Sequence, residues 1–405
     1  MSGLLWQCVE NGLVDGRKLF CDSSLVQADA WCNSIDCHDD GITAHMPVLK
    51  QTQDQQERRR KFSETGKRWV RFAFPLTMTL VLAVWLTQDS RLANAESKGQ
   101  PTNVSYAAEG AAGAALWVAK ETGLFDKYGS DISLKRLSGS SLIVQAMVGK
   151  ETPIAQIGGA AVVDARLAGA DLVYVASVIG TMVASIYSLA SITKLEDLRG
   201  KKIGVTRFGS ITDFFARYAL KTKGLRGDQD VGIVQMNDLS STLSALKIGA
   251  IQAGVITAPF TLEARKLGLR ELVDMTKIGG PFPGNGIAVT GDYLRLKENR
   301  ETLRRFMKGY VEGISLALKN REQTLKIISQ YSRTTDPEIL QETYDVTVAK
   351  AFLMVPYPSV AGFKTILDFI AETRDVKVRT VDPKSMVDST FVRELDESGF
   401  IKSLY

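Results

Sequence analysis

The tightest constraint in this sequence is an alternation. Between Val104 and Leu220 short apolar runs of strand length are separated by amphipathic stretches and by small turns rich in Gly and Ser. The spacing predicts strands at 104–106, 132–137, 154–157, 172–177 and 203–206. It predicts helices at 114–122, 142–148 and 161–167, and another that starts at Ser210. A βαβα order of this kind gives an α/β fold, an open parallel or mixed sheet with helices on both faces. Ligands of such sheets sit beyond the carboxyl ends of the strands.

Those ends carry a repeated composition. The first strand runs into Glu109-Gly110-Ala111-Ala112-Gly113 and the second into Ser138-Gly139-Ser140-Ser141. The third runs into Gly158-Gly159-Ala160. Further on come Arg207-Phe208-Gly209-Ser210 and Thr257-Ala258-Pro259. Each turn has little side-chain bulk and is followed by a helix. Several helix N-termini around one crevice offer backbone N–H donors and the positive ends of helix dipoles, which suit a small polar or anionic ligand. The alternative for any single turn is that its glycine only closes a tight connection. Ser210 with Asp213 three residues on reads as a capping box.

The first 95 residues differ from the rest. Residues 1–66 contain all four cysteines (Cys8, Cys21, Cys32, Cys37) and both histidines (His38, His45). Their gaps lack the paired short spacing of a zinc site, so no metal is expected. This stretch reads as a leader of doubtful structure. Residues 67–95 read as a signal peptide: Lys67, Arg68 and Arg71 precede the apolar run 72–86, and Ala93-Asn94-Ala95 gives a small-residue cleavage pattern before Glu96. Export is therefore expected, to the periplasm. The alternative is an uncleaved membrane tether.

After cleavage the chain would hold neither Cys nor His. That removes disulfides, thiol nucleophiles, imidazole bases and ordinary zinc sites together, and no cofactor is expected. At 405 residues the chain is long enough for two domains with sizeable cores. Its formal net charge of +5 is thinly spread, and after residue 96 no basic block interleaved with aromatics suggests nucleic-acid binding.

Three segments carry a family resemblance. The run from Ala115 to Gly129, ALWVAKETGLFDKYG, resembles the first-helix signature of periplasmic solute-binding proteins of ABC importers, in the nitrate/sulfonate/taurine branch that also includes thiamine-pyrimidine-synthase-like proteins. Leu195 to Val205, LEDLRGKKIGV, is similar to the entry into that family's second lobe. Ala245 to Ala253, ALKIGAIQA, is similar to a later helix-turn-strand, with Gln252 where the family usually has Asp.

The resemblance implies a type II periplasmic-binding-protein fold. It has two lobes, each a mixed sheet flanked by helices, and a ligand cleft between them. Lobe one would comprise 96–180 and 285–405, the latter with C-terminal helices, and lobe two 181–284. The crossing segment includes Pro281 to Gly286, and 301–329 reads as one long packing helix. The implied function is capture of a small, anionic organic solute by lobe closure, with an inner-membrane ABC permease as partner, as a monomer and without catalysis. The ligand-binding candidates are Glu109, Gly110, Ala111, Ser140, Ser141, Gly159 and Ala160 in lobe one, and Arg207, Gly209, Ser210, Thr212 and Thr257 in lobe two. Arg207 is either a bidentate partner for a carboxylate or sulfonate or a solvated loop residue. Glu109 would oppose a bare anion unless it pairs or points away. Trp117 is expected in the core. The enzyme alternative within this fold consumes a histidine of its own chain and uses a cysteine-rich iron motif, which residues 96–405 lack.

Overall fold

The computed structural model describes residues 101–405 apart from Glu109 and Asp375; the expected leader, signal peptide and cleavage site lie outside the described residues, as does the side chain of Glu109. Among the described residues ten strands form two sheets. They are β1 (Thr102–Tyr106), β2 (Ile132–Arg136), β3 (Ile154–Ile157), β4 (Leu172–Ile179), β5 (Ser185–Ser188), β6 (Lys202–Val205), β7 (Gly232–Gln235), β8 (Ala253–Ile256), β9 (Arg270–Asp274) and β10 (Asn285–Thr290). One sheet has the order β2-β1-β3-β10-β4 and the other β7-β6-β8-β5-β9. In each, one strand runs against the rest: β10 pairs antiparallel with β3 and β4, and β5 with β8 and β9. These two strands are the ones that follow the crossings between sheets. The chain passes over between β4 and β5 and returns before β10.

In lobe one, α1 (Ala114–Glu121), α2 (Ser140–Val148) and α3 (Gly159–Leu167) follow β1, β2 and β3. In lobe two, α4 (Ile211–Lys221), α5 (Leu239–Lys247) and α6 (Phe260–Lys266) follow β6, β7 and β8. The chain then adds α7 (Lys297–Lys319), α8 (Arg321–Ser332), α9 (Pro337–Thr343), α10 (Val360–Thr373) and α11 (Thr390–Glu397). The single long helix expected over 301–329 is two helices. Asn320 ends α7 and caps α8, its Oδ1 accepting from the Gln323 N–H at 3.1 Å. A side chain that satisfies the first turn of a new helix competes with continuation of the old one. Helices α2 and α3 also begin two residues earlier than their apolar periodicity suggests, at Ser140 and Gly159, because a first turn facing a crevice needs no apolar residue.

Lobe one is built on α7. Phe306, Tyr310, Ile314 and Leu318 follow one another at the expected four-residue spacing; the first three are fully buried and Leu318 partly so. The helix approaches α1 closely at Gly313, where a Cβ would lie 2.5 Å from the Ala115 carbonyl oxygen. Trp117 is fully buried, stacked on Tyr331 at 4.6 Å and edge-on to Tyr106 at 5.9 Å. Its core role is as expected.

The lobes share an apolar fulcrum at the crossings. Phe282 of the return crossing packs on Phe214 and Phe215 of α4 at 5.0 and 5.2 Å, and Phe369 of α10 packs on Phe214 at 5.0 Å. Each such ring contributes about 1.5–3 kcal/mol by burial, so this side of the molecule stays packed. Backbone bonds tie the two crossings together: the Phe282 N–H donates to Gly180 O and the Gly284 N–H to Ile179 O. Among the described residues no helix is long and apolar enough to cross a membrane.

Candidate functional site

Turns at the carboxyl ends of both sheets enclose a cavity of about 120 Å³ between the lobes. An empty cavity of about 150 Å³ is enough to bind benzene, so this space suits a compact solute. Lobe one contributes Gly110 after β1, Gly139 and Ser140 after β2, and Gly158 after β3. Lobe two contributes Thr206, Ser210, Ile211 and Thr212 after β6, Asn237 after β7, and Thr257 after β8. Ile179, Thr181, Val183 and Asn285 come from the crossings, Phe215 from α4, and Thr347 from the π-helical segment Tyr344–Ala349 that continues α9. No charged side chain belongs to the lining among the described residues. The polar groups are hydroxyls and amides, and Asn285 Oδ1 is buried with no hydrogen-bond partner.

Four helices of eight residues or more begin at this cavity: α2, α3, α4 and α5. They are not equally available. The Gly159 N–H of α3 donates to Pro283 O at 2.8 Å. The Asp238 carboxylate caps α5, accepting from the Ser241 N–H at 2.7 Å. At α2 and α4 no described residue accepts from the N–H groups of Ser140, Ser141, Ile211 or Thr212. These opposed helix ends carry partial positive charge.

The start of α4 is not the expected capping box. Ser210 occupies the N-cap position without a side-chain bond to the helix backbone. Asp213 instead reaches one residue further back, its Oδ2 accepting from the Gly209 N–H at 3.0 Å, while Oδ1 accepts from Arg217 Nε at 2.7 Å. The Ser210 hydroxyl belongs to a triangle. It lies 3.1 Å from Thr206 Oγ1 and 2.9 Å from Thr212 Oγ1, which are themselves 2.8 Å apart. Thr212 Oγ1 also accepts from the Thr206 N–H at 2.9 Å. The three hydroxyls have one proton each, so when two are donated within the triangle the third is left for an acceptor in the cavity.

Of the residues singled out in the sequence, Gly110, Ser140, Ser210, Thr212 and Thr257 line the cavity. Ala111, Ser141, Gly159, Ala160 and Gly209 sit in the same turns behind the lining. Arg207 is not among the lining residues and is half-buried. Its Nε donates to Ser138 O of lobe one at 2.7 Å, and its stem covers Gly139. Ser138 answers with its own hydroxyl, which donates to Asn237 O of lobe two at 2.8 Å. The lobes therefore meet directly around the cavity. Gly110 faces Ala258, and Gly158 faces Ile211. Sequence reasoning missed Thr181, Asn285 and Thr347. The first two sit in or beside crossings, whose composition was legible at Pro281 to Gly286. Thr347 comes from a segment with no local signal of a site.

Comparison with known proteins follows this geometry. A solved structure from Bordetella bronchiseptica RB50 superposes with a TM-score of 0.67 at 20% identity, covering 74% of this chain and 97% of that one. The alkanesulfonate-binding protein SsuA from Xanthomonas axonopodis pv. citri, bound to MOPS, gives 0.61 at 18% identity over 71% and 98%. The periplasmic nitrate-binding protein NrtA from Synechocystis PCC 6803 gives 0.62 at 14% over 74% and 89%. These likenesses establish the periplasmic-binding-protein fold. A Brucella abortus protein, named provisionally as a binding protein, is 27% identical over 235 residues, which are 57% of this chain and 71% of that protein. Residues 112–324, more than half of the sequence, match the model of the NMT1/THI5-like family, and the chain belongs to that family.

Proposed function

We propose that this protein is the extracytoplasmic substrate-binding component of an ABC importer, exported with cleavage near Ala95-Glu96, and that it captures a small anionic organic solute between its lobes. The observation that carries this reading is a cavity, without a charged side chain among the described lining residues, onto which the open N-termini of α2 and α4 point from opposite lobes. An acid group of the sulfonate, carboxylate or nitrate type would accept from Ser140 and Ser141 on one side and from Ile211, Thr212 and the hydroxyl triangle on the other. The apolar wall of Ile179, Val183 and Phe215 would take its organic part. The names of the alkanesulfonate- and nitrate-binding structural neighbours support this class of ligand. Closure around the solute creates the form that a membrane permease recognises.

A catalytic role has no support in the lining. The described lining offers hydroxyls and amides as its polar groups, which suits binding rather than proton transfer. The sequence has no His after His45 and no Cys after Cys37, so residues 96–405 supply neither residue that the histidine-consuming enzyme alternative uses.

The test is a melting-temperature titration of the protein with methanesulfonate, ethanesulfonate, acetate, benzoate and nitrate. A solute at one hundred times its Kd stabilises the folded form by about 2.7 kcal/mol. A saturable rise with one class, reduced in Thr212→Val, is expected. Flat curves throughout, with no change in exchange of the 138–142 and 206–212 amides, would overturn the reading.

A further inference from the structure

The lobes also touch beside a second cavity, lined by Thr261, Arg265 and Glu342 among others and sharing Thr181, Val183, Thr257 and Ala258 with the first, and there the contact is ionic. Helix α6 of lobe two lies against α9 of lobe one, which is anchored in the lobe-one core through the adjacent Tyr344, whose hydroxyl donates to Ala317 O and Leu318 O at 3.1 Å. Arg265 and Lys266 close α6, while Asp336, Glu338 and Glu342 lie at the start and along the exposed side of α9. Arg265 Nη2 donates to Glu342 Oε2. Lys266 pairs with Glu338 at 2.6 Å and with Asp336 at 3.8 Å. The Thr261 hydroxyl donates to the other Glu342 oxygen at 2.7 Å. Every one of these bonds joins the two lobes, and none involves a residue that lines the solute cavity.

We propose that α6 and α9 form an ionic latch that holds the lobes together in the absence of any solute and makes closure sensitive to ionic strength. The latch rests on the reading that the lobes part and close, but not on the identity or existence of a solute. Both cations are at the last turn of α6, Glu338 is in the first turn of α9 and Asp336 is its N-cap, so the helix dipoles favour these four charges; Glu342, near the other end of α9, is held by its bonds to Arg265 and Thr261 instead. The side chains are 44% (Arg265), 49% (Lys266), 21% (Glu342) and 66% (Glu338) exposed. Such exposed pairs are individually weak and are screened by salt. A latch of this strength biases closure without locking it, which a protein that must release its cargo requires.

The experiment measures amide exchange of the full chain without solute at about 20 mM and 500 mM salt. The reporters are the 138–142 and 206–212 segments, which carry the Ser138–Arg207 and Ser138–Asn237 lobe contacts. In wild type, exchange at these segments accelerates with salt. Arg265→Glu and Glu342→Arg each accelerate it at low salt by roughly three- to tenfold and reduce its rise with salt, since one exposed pair is worth up to about fivefold, the added repulsion is itself screened by salt, and only the Lys266 pairs of the latch remain. The double variant Arg265→Glu/Glu342→Arg restores slow exchange. Unchanged rim exchange in both single variants, or failure of the double variant to restore it, overturns the latch. If a single variant loses protection in β1 and β10 it has lost its fold, and Glu342→Gln with the wild-type salt dependence then decides. Absence of salt dependence in wild type also overturns it. The solute titration is separate: it can fail while the latch stands.

Discussion

Gly110→Ala separates lobe closure from lobe folding. Gly110 has φ −123° and ψ −166°, an extended conformation that alanine adopts without strain. Lobe one alone therefore tolerates the change. In the closed arrangement an added Cβ would stand 2.1 Å from the Ala258 carbonyl oxygen and 2.9 Å from the Ala258 carbonyl carbon and Pro259 Cδ. An ordinary C···O approach is about 3.3 Å, so the lobe-two turn must retreat by about 1 Å. The obstacle is backbone and cannot rotate aside. Overpacking of this kind costs about 1–3 kcal/mol, here charged only to the closed form, which corresponds to a 5- to 150-fold loss of closed population. The assay is amide exchange at 138–142 and 206–212, together with solute affinity by calorimetry once a solute is found. Rim exchange should accelerate by that factor while the melting temperature changes little. Equal rim exchange in Gly110→Ala and wild type would refute the claim that Gly110 is a closure contact.

Three further changes test other parts. Thr212→Val keeps the shape but removes the acceptor for the Thr206 N–H and one corner of the hydroxyl triangle; a stability loss of about 1–3 kcal/mol is expected in denaturant unfolding, and an unchanged midpoint would show that water replaces the network. Tyr331→Ala removes the ring stacked on Trp117 and should cost about 2–3 kcal/mol, whereas Tyr331→Phe, losing only the 2.7 Å bond to Glu121, should cost about 1 kcal/mol or less; equal effects would mean the stack contributes nothing. Arg304 bonds both Glu394 oxygens at 2.8 and 3.0 Å, and these bonds hold the Glu394 carboxyl below its ordinary value of 4.5. A lowered folded-state pKa stabilises above the ordinary value and ceases to do so as pH falls through the lowered one. The melting gap between wild type and Glu394→Gln should thus be present at neutral pH and close below about pH 4; a pH-independent gap would contradict this.

The alternation from Val104 to Leu220 was enough to give the α/β fold, because strand and helix periods differ and each apolar run fits only one of them. The resemblance supplied the two-lobed arrangement. The turns themselves were legible as small and helix-preceding. What could not be read was which atom each turn residue presents, and to whom. Arg207 reads as an anion partner because guanidinium groups commonly are; that its Nε donates to the Ser138 carbonyl of the other lobe is set by a distance between lobes, which local sequence does not carry. Gly110, Gly139 and Gly158 looked like turn formers. Only Gly139 has a positive φ, at 84°. All three press against lobe two, and that reason is invisible in local sequence. Thr181 and Thr347 were hidden because crossings and tail helices lack the Gly-Ser mark of the strand-end turns.

These contacts bear on how affinity can be tuned. A lining of hydroxyls, amides and helix ends attracts an anion less strongly than an arginine would, so the solute alone has less energy to give toward closing the lobes. Contacts between the lobes make up part of the difference, since apparent affinity scales with the fraction of molecules already competent to bind. Two kinds of variant should therefore behave differently across a solute series. Loosening a contact outside the cavity, as in Glu342→Arg, lowers that fraction and weakens every solute by one common factor, because no solute touches the change. Altering the lining, as in Thr212→Val, weakens solutes unequally, most for those whose acid group uses the triangle. Calorimetric affinities for three or more solutes in both variants distinguish the cases. A common factor for Thr212→Val, or unequal factors for Glu342→Arg, would mean that closure and recognition are not separable in this cleft.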